Sequence, residues 1–317
     1  MAKQFASSMD LTEKTISFEA IGRDLYALTA QGDPNSGVII GDDSVMVIDA
    51  QATPAAAQEV VAHIRQVTDK PIKYVVLSHY HAVRVLGASG FGAEQIIASE
   101  KCRAMIAERG AEDWQSEQQR MPRLFKQPEG IPGLTWPTLT FKQHMTVYLG
   151  KRRVDLMHLG RSHTAGDVVA WVADAQVMFS GDGAEYKSAC YCGDAHFTDW
   201  PATLDRMAAF NPAALVPGRG APLETRDKVQ EGLALTRQFL VDHYQPALAA
   251  ASRGAPLKEA FLATREICDA KYRDYAIYEH CLPFNVARAY DEALGIDTPR
   301  IWTAARDLEL WNALQAS

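Results

Sequence analysis

The chain has 317 residues, 47% of them hydrophobic and 22% charged, with a formal net charge of −7. That length holds one large domain or two ordinary ones with a buried core, while the negative balance argues against a general nucleic-acid binder, which needs a basic surface. No apolar run reaches the roughly 18 residues of a membrane helix.

In chain order, Ile16 to Ala50 reads as short strands and turns: DLYALTA alternates, GDPNSG is a turn cluster, and GVIIG with SVMVIDA forms a hairpin ending at Asp49. TPAAAQEVVAHIRQVTD then reads as a helix with Thr53 as N-cap and Pro54 in its first turn. KYVVLSH is a buried strand, which makes the run strand, helix, strand, the grammar of a layered α/β protein. Residues Glu100 to Gln127 are polar and helical in character, and the proline-rich PEGIPGLTWPTLTF returns the chain to strands. MTVYLGKRRVDLMHLG is a hairpin around Gly150-Lys151, and DVVAWVADAQVMFSGDG is a strand, turn and strand. DSVMVIDA and AQVMFSGD both end an apolar strand on an aspartate, Asp49 and Asp182, an echo that fits two similar half-domains. DWPATLDRMAAFNP is an amphipathic helix, and AALVPGRG is a strand running into a glycine-rich turn. Beyond Pro222 strand signals give way to helical periodicity. The expected organisation is an α/β domain over residues 1–222 and a helical region over 223–317 packed on it, with no low-complexity linker between them.

Nine histidines are available for chemistry. His63 and His243 fall on expected helices, and His144 and His158 lack a partner pattern. His79, His81 and His163 differ, because each follows a strand in a small-residue loop. Imidazoles at i and i+2 plus a distant third make a three-histidine face that leaves an open position for water. Cys190-Tyr191-Cys192 is too closely spaced for a C-x-x-C zinc clip. Five scattered cysteines, and a start with no basic segment followed by an apolar one, fit reduced thiols in the cytoplasm. No G-x-G-x-x-G, P-loop or G-x-S-x-G arrangement occurs.

HYHAVR, GRSHTAGD, SGDG and VPGRG, with VMVIDA before them, resemble the metallo-β-lactamase fold superfamily in order and spacing, over roughly residues 16–222. The resemblance implies a four-layer αββα sandwich with a metal site at one edge of two sheets. It makes His79, His81 and His163 the ligands of the first metal, and Asp182 the aspartate that bridges two metals. The second-site ligands are missing. Val83 stands where the family has an aspartate, Arg84 replaces the histidine after it, and Arg219 replaces the last histidine.

Half a dinuclear site is therefore expected, holding one divalent transition metal. Imidazole softness suits zinc best and also admits iron or manganese. Such a metal lowers the pKa of its water from 15.7 to about 7, giving hydroxide at neutral pH, with Asp182 completing the coordination or orienting the water. Arg84 and Arg219, always charged and able to fork onto an anion, either bind a substrate anion or only neutralise Asp182. By its place in the family fold, EYKSACYCGDAHFTDW is a loop over the site edge, where Tyr186 and His196 would face the substrate. The alternative is a packed loop in which His196 and Asp194 satisfy backbone groups. The expected function is a hydrolase of a small, anionic ester-, lactone-, thioester- or aryl-type molecule, with no nucleic-acid or membrane partner and a homo-oligomer left open. Against it stand a non-catalytic binding protein and a mononuclear iron redox or lyase enzyme.

Overall fold

The computed structural model describes residue 8 and residues 10–315, with the side chain of residue 315 excepted. Two sheets carry the fold. The first has seven strands in chain order: β1 (Ile16–Gly22), β2 (Leu25–Ala30), β3 (Ser36–Ile40), β4 (Val45–Ile48), β5 (Ile72–Val76), β6 (Gln95–Ser99) and β7 (Leu139–Phe141). It is antiparallel up to β4 and parallel from β4 to β7. The second sheet runs in the order β12 (Ala214–Val216), β11 (Val177–Phe179), β10 (Val169–Val172), β9 (Arg152–Met157), β8 (His144–Leu149).

The period-two alternation of the strands creates the layers. Met46, Ile48 and Val76 face inward, against Leu156, Ala170, Val172 and Phe179 of the other sheet. Val45, Val47 and Val75 face the opposite way, onto helices α1 (Pro54–Ile64) and α3 (Glu100–Arg120). On the far side of the second sheet, Val169, Trp171 and Met178 pack with α4 (Trp200–Ala209) and with α5 (Arg226–Ser252), α6 (Leu257–Tyr272) and α7 (Tyr278–Ala293). The four-layer αββα sandwich with a C-terminal helical region is thus the observed architecture. A last helix, α8 (Ala304–Gln315), returns to α3, where Asp307 meets Ser116 and lies 3.4 Å from Arg120 Nε.

Local signals account for the boundaries. The Thr53 hydroxyl accepts the Ala56 N–H at 3.1 Å and Pro54 opens α1, which stops at Ile64, short of the run read from sequence. Ser99 caps α3 by accepting the Cys102 N–H at 2.9 Å. Strand β6 and the one-turn helix α2 (Ala82–Val85) had no counterpart in the sequence reading. Parallel pairing of β4 with β5 and of β11 with β12 brings four strand ends to one edge of the sandwich. Among the described residues, no helix is long and apolar enough to cross a membrane.

Candidate metal centre

His79 lies three residues past the end of β5, His81 stands immediately before α2, and His163 projects from the loop between β9 and β10. All three are buried, at 1%, 2% and 1% exposure. Each offers one ring nitrogen to a common point, and these atoms lie within 4.8 Å of one another. Neighbours select which nitrogen is free. Asp49 accepts from the Ser78 hydroxyl at 2.8 Å, so the His79 Nδ1–H is left to donate to Ser78 Oγ at 2.9 Å and Nε2 keeps its lone pair. That Nε2 is buried without a hydrogen-bond partner. His81 turns Nε2 to Asp194 Oδ2 at 3.2 Å and presents Nδ1 to His163 Nε2 at 3.0 Å.

Buried, convergent and partly unpartnered nitrogens are a donor set that fits a divalent cation, and three imidazoles leave a position open. The electrostatics agree. Burial opposes charge on His81, yet Asp113, Asp194 and Glu117 push its pKa up to about 9, so this corner favours a positive charge. Burial instead pushes His163 down to about 3, against the pull of Asp182.

Asp182 enters from the turn after β11, with Oδ2 at 3.6 Å from His163 Nε2 and 3.8 Å from His79 Nε2. Burial raises its pKa, but the Arg84 and Arg219 guanidiniums outweigh this and hold the carboxyl well below the usual range. Arg84, with no exposed surface, donates Nη2 to Asp182 Oδ1 and to Gly218 O (2.7 Å), and Nη1 to Asn35 O (2.8 Å); Asp49 Oδ2 lies 3.5 Å away. Arg219 donates Nη1 to Asp182 Oδ2 at 2.8 Å and lies 3.5 Å from Glu185, while its Nε has no partner. The Val83 side chain packs into the apolar core under α1 and α3 and supplies no donor.

The structure therefore brings together His79, His81, His163, Asp182, Arg84 and Arg219. It does not bring the Tyr186 hydroxyl or the His196 ring into hydrogen-bond contact with them; Tyr186 meets Arg219 through its backbone N–H alone, which donates to Arg219 O at 3.2 Å. The Tyr186 hydroxyl lies 3.3 Å from Glu231 and 3.4 Å from Lys228 on α5. His196 is buried with neither ring nitrogen hydrogen-bonded, and burial lowers its pKa to about 4 with Arg161 and Arg288 adding to the effect.

Sequence reasoning missed a shell of supporting groups. Asp194 binds side chains rather than backbone: His81, and Arg109 Nη1 at 3.0 Å. From α3, Asp113 accepts the Ala82 N–H at 2.7 Å and Glu117 the Val83 N–H at 3.0 Å, capping α2 and fixing His81 in front of it. The Tyr191 ring sits edge-on to His81, centroids 5.5 Å apart, and Arg120 lies 5.0 Å over its face. The only sequence signal was the crowding of polar residues in the loop after Asp182.

A family model, the Metallo-beta-lactamase superfamily, matches residues 30–219. A linear primary-alkylsulfatase of Pseudomonas sp. (strain ATCC 19151) is 24% identical over 235 residues, covering 64% of this chain and 44% of the sulfatase. The chain thus spans less than half of that relative's length. A metallo-beta-lactamase type 2 of Bacillus sp. (strain 170) is 22% identical, with 65% of this chain and 77% of the lactamase covered. Among solved structures, a stereoselective inverting sec-alkylsulfatase from Pseudomonas sp. aligns at TM-score 0.70 and 18% identity over 88% of this chain and 50% of that one. A metallo-beta-lactamase from Pontibacter korlensis aligns at 0.57 and 18%, over 71% of this chain and 99% of that one. At these identities the likeness concerns the fold. The sulfatase alignment covers too large a share to be confined to residues 1–222, so part of the helical region has a counterpart there.

Proposed function

The chain belongs to the metallo-beta-lactamase superfamily, and from that premise we propose that it is a hydrolase working with a single metal ion. One observation carries the reading: the three-imidazole donor set is whole, while the ground beside it holds Arg84 and Arg219 on Asp182. A second divalent ion would meet two fixed positive charges and, at position 83, no ligand at all.

His79 Nε2, His81 Nδ1 and His163 Nε2 would hold the metal. Zinc suits the imidazoles best, with iron or manganese as alternatives. Bound there, it supplies an activated water and a Lewis acid. The remaining work falls to the chain. Asp182, kept anionic by two guanidiniums, is a weak proton acceptor, so its role is to orient a water through Oδ2 on the open side of the cluster. Arg84 has both terminal nitrogens occupied within the protein, which favours a role as fixed counter-charge over substrate binding. Both arginines leave Nε unpartnered, so the preference rests on the terminal nitrogens: Arg219 engages Nη1, on Asp182 and Glu185, and any substrate anion is left to it. The cluster is buried beneath Tyr191, which favours a small ester-, lactone-, thioester- or aryl-type substrate, and the alkylsulfatase and lactamase relatives keep sulfur and carbonyl centres in view.

A second reading has its own observation. Two imidazole nitrogens and Asp182 Oδ2 form a two-histidine, one-carboxylate face of the kind used by non-haem iron. The hold of both arginines on Asp182 weighs against it. Elemental analysis separates the readings: about one zinc per chain, largely lost in His81→Ala with cooperative melting retained, supports the hydrolase. Iron supports the second reading, and two metals per chain would defeat the single-ion proposal.

A further inference from the structure

Residues 223–317 lie beyond the family match, yet they reach the histidine cluster, chiefly through one loop and also through Arg109. That loop, residues 184–199, joins the Asp182 turn to α4, and side chains of the helical region grip its backbone. Asn285 donates to Cys190 O at 2.8 Å and accepts from the Cys192 N–H at 2.7 Å. Trp302 Nε1 donates to Gly193 O at 2.9 Å, and Arg288 Nε donates to Ala195 O at 2.7 Å. Glu292 accepts the N–H groups of Phe197 and Thr198, each at 2.9 Å. Asp194 sits at the centre of this clamped stretch, 1% exposed.

We infer that Asp194 is the positioning residue of the ligand His81, and that the C-terminal helices hold it in place. The inference rests on the metal-centre reading. A carboxylate on the far nitrogen of a ligating histidine fixes both tautomer and ring plane. Asp194 Oδ2 takes the His81 Nε2–H, which leaves Nδ1 free to ligate. Arg109 locks the other oxygen and is itself tied to Pro299 O at 3.2 Å, so the carboxylate cannot turn without breaking a buried ion pair. The helical region thus acts on the metal centre at one remove, by fixing the backbone on either side of Asp194.

Asp194→Asn tests the tautomer argument. Arg109 requires an oxygen facing it, so the amide NH2 must face His81 Nε2 and force the proton onto Nδ1, the ligating atom. Trp302→Phe tests the clamp: it removes the indole N–H that binds Gly193 O and also shrinks a buried side chain, so melting of the metal-free variant reads the packing loss apart from metal affinity. The probe is Co(II), read by its visible absorption and by competition with a chelator, alongside melting of the metal-free proteins. Expected for Asp194→Asn is a loss of affinity of about 10- to 100-fold with an altered spectrum. Expected for Trp302→Phe is a loss of about 3- to 10-fold, the worth of one net hydrogen bond. If wild type takes up no Co(II), the metal-centre reading fails and this inference with it. If wild type binds and Asp194→Asn binds as tightly with the same spectrum, this inference alone fails. Should Asp194→Asn not fold, unchanged affinity and spectrum in Trp302→Phe overturn the clamp by the C-terminal region.

Discussion

Replacing Arg84 with methionine would remove a guanidinium while roughly keeping the side chain's length. The position has no exposed surface, so water cannot take over its bonds. Asp182 would keep only Arg219, at 2.8 Å, and the carbonyls of Asn35 and Gly218 would lose a donor. Breaking a buried ion pair by removing one partner costs about 3–5 kcal/mol, and a stranded buried acceptor about 1–3 kcal/mol. The surviving Arg219 offsets part of this, and about 4 kcal/mol is the expected net loss. Against a whole stability of about 5–15 kcal/mol that is severe. At about 2 °C per kcal/mol for a chain of this size, the metal-free protein should melt about 8 °C lower. Arg84→Lys keeps the charge without the fork and should lose about half as much, with metal content unchanged. Adding Asp182→Asn to Arg84→Met should recover part of the loss, because the unopposed carboxylate is gone. The assay is thermal and urea unfolding of the three variants. A midpoint for Arg84→Met within 2 °C of wild type (about 1 kcal/mol), or no recovery in the double variant, would refute the counter-charge argument.

Two further outcomes follow from residues already placed. The triple variant Val83→Asp, Arg84→His, Arg219→His restores the ligand types of the second site, and elemental analysis should rise from about one metal per chain to about two, whereas Arg84→His alone should add none. Burial pushes His243 in α5 down to about 4, below the ordinary value near 6.5 of the unfolded chain. Its contribution is therefore complete above pH 6.5 and is lost as pH falls toward 4, about 2 kcal/mol of it between pH 7 and 5. Urea unfolding at the two pH values should show His243→Phe with a shallower decline than wild type; parallel declines would remove His243 from the acid sensitivity.

Much of the sandwich was legible because its strands are short apolar runs that end on turn residues. β6 was not, since QIIAS is too short for periodicity to separate it from the helix it runs into. The histidines, Asp182 and the two arginines were found through their motifs, each a local string. Their supports were invisible for a geometric reason. Asp194 reaches His81 across 113 residues, and Asp113 reaches the Ala82 N–H across 31. No local pattern announces a partner that only tertiary packing supplies. The echo between Asp49 and Asp182 had content after all: one sheet presents Asp49 and the other Asp182, and Arg84 lies between them.

That shared arginine also bears on the second metal. Single substitutions do not lead back from guanidinium to metal: Arg84→His or Arg219→His alone leaves a buried carboxylate short of charge before a second ion has enough ligands to stay. Each one-step variant is expected to lose stability relative to this chain, by about as much as Arg84→Met. A second ion therefore has a place here only when several of these positions change together.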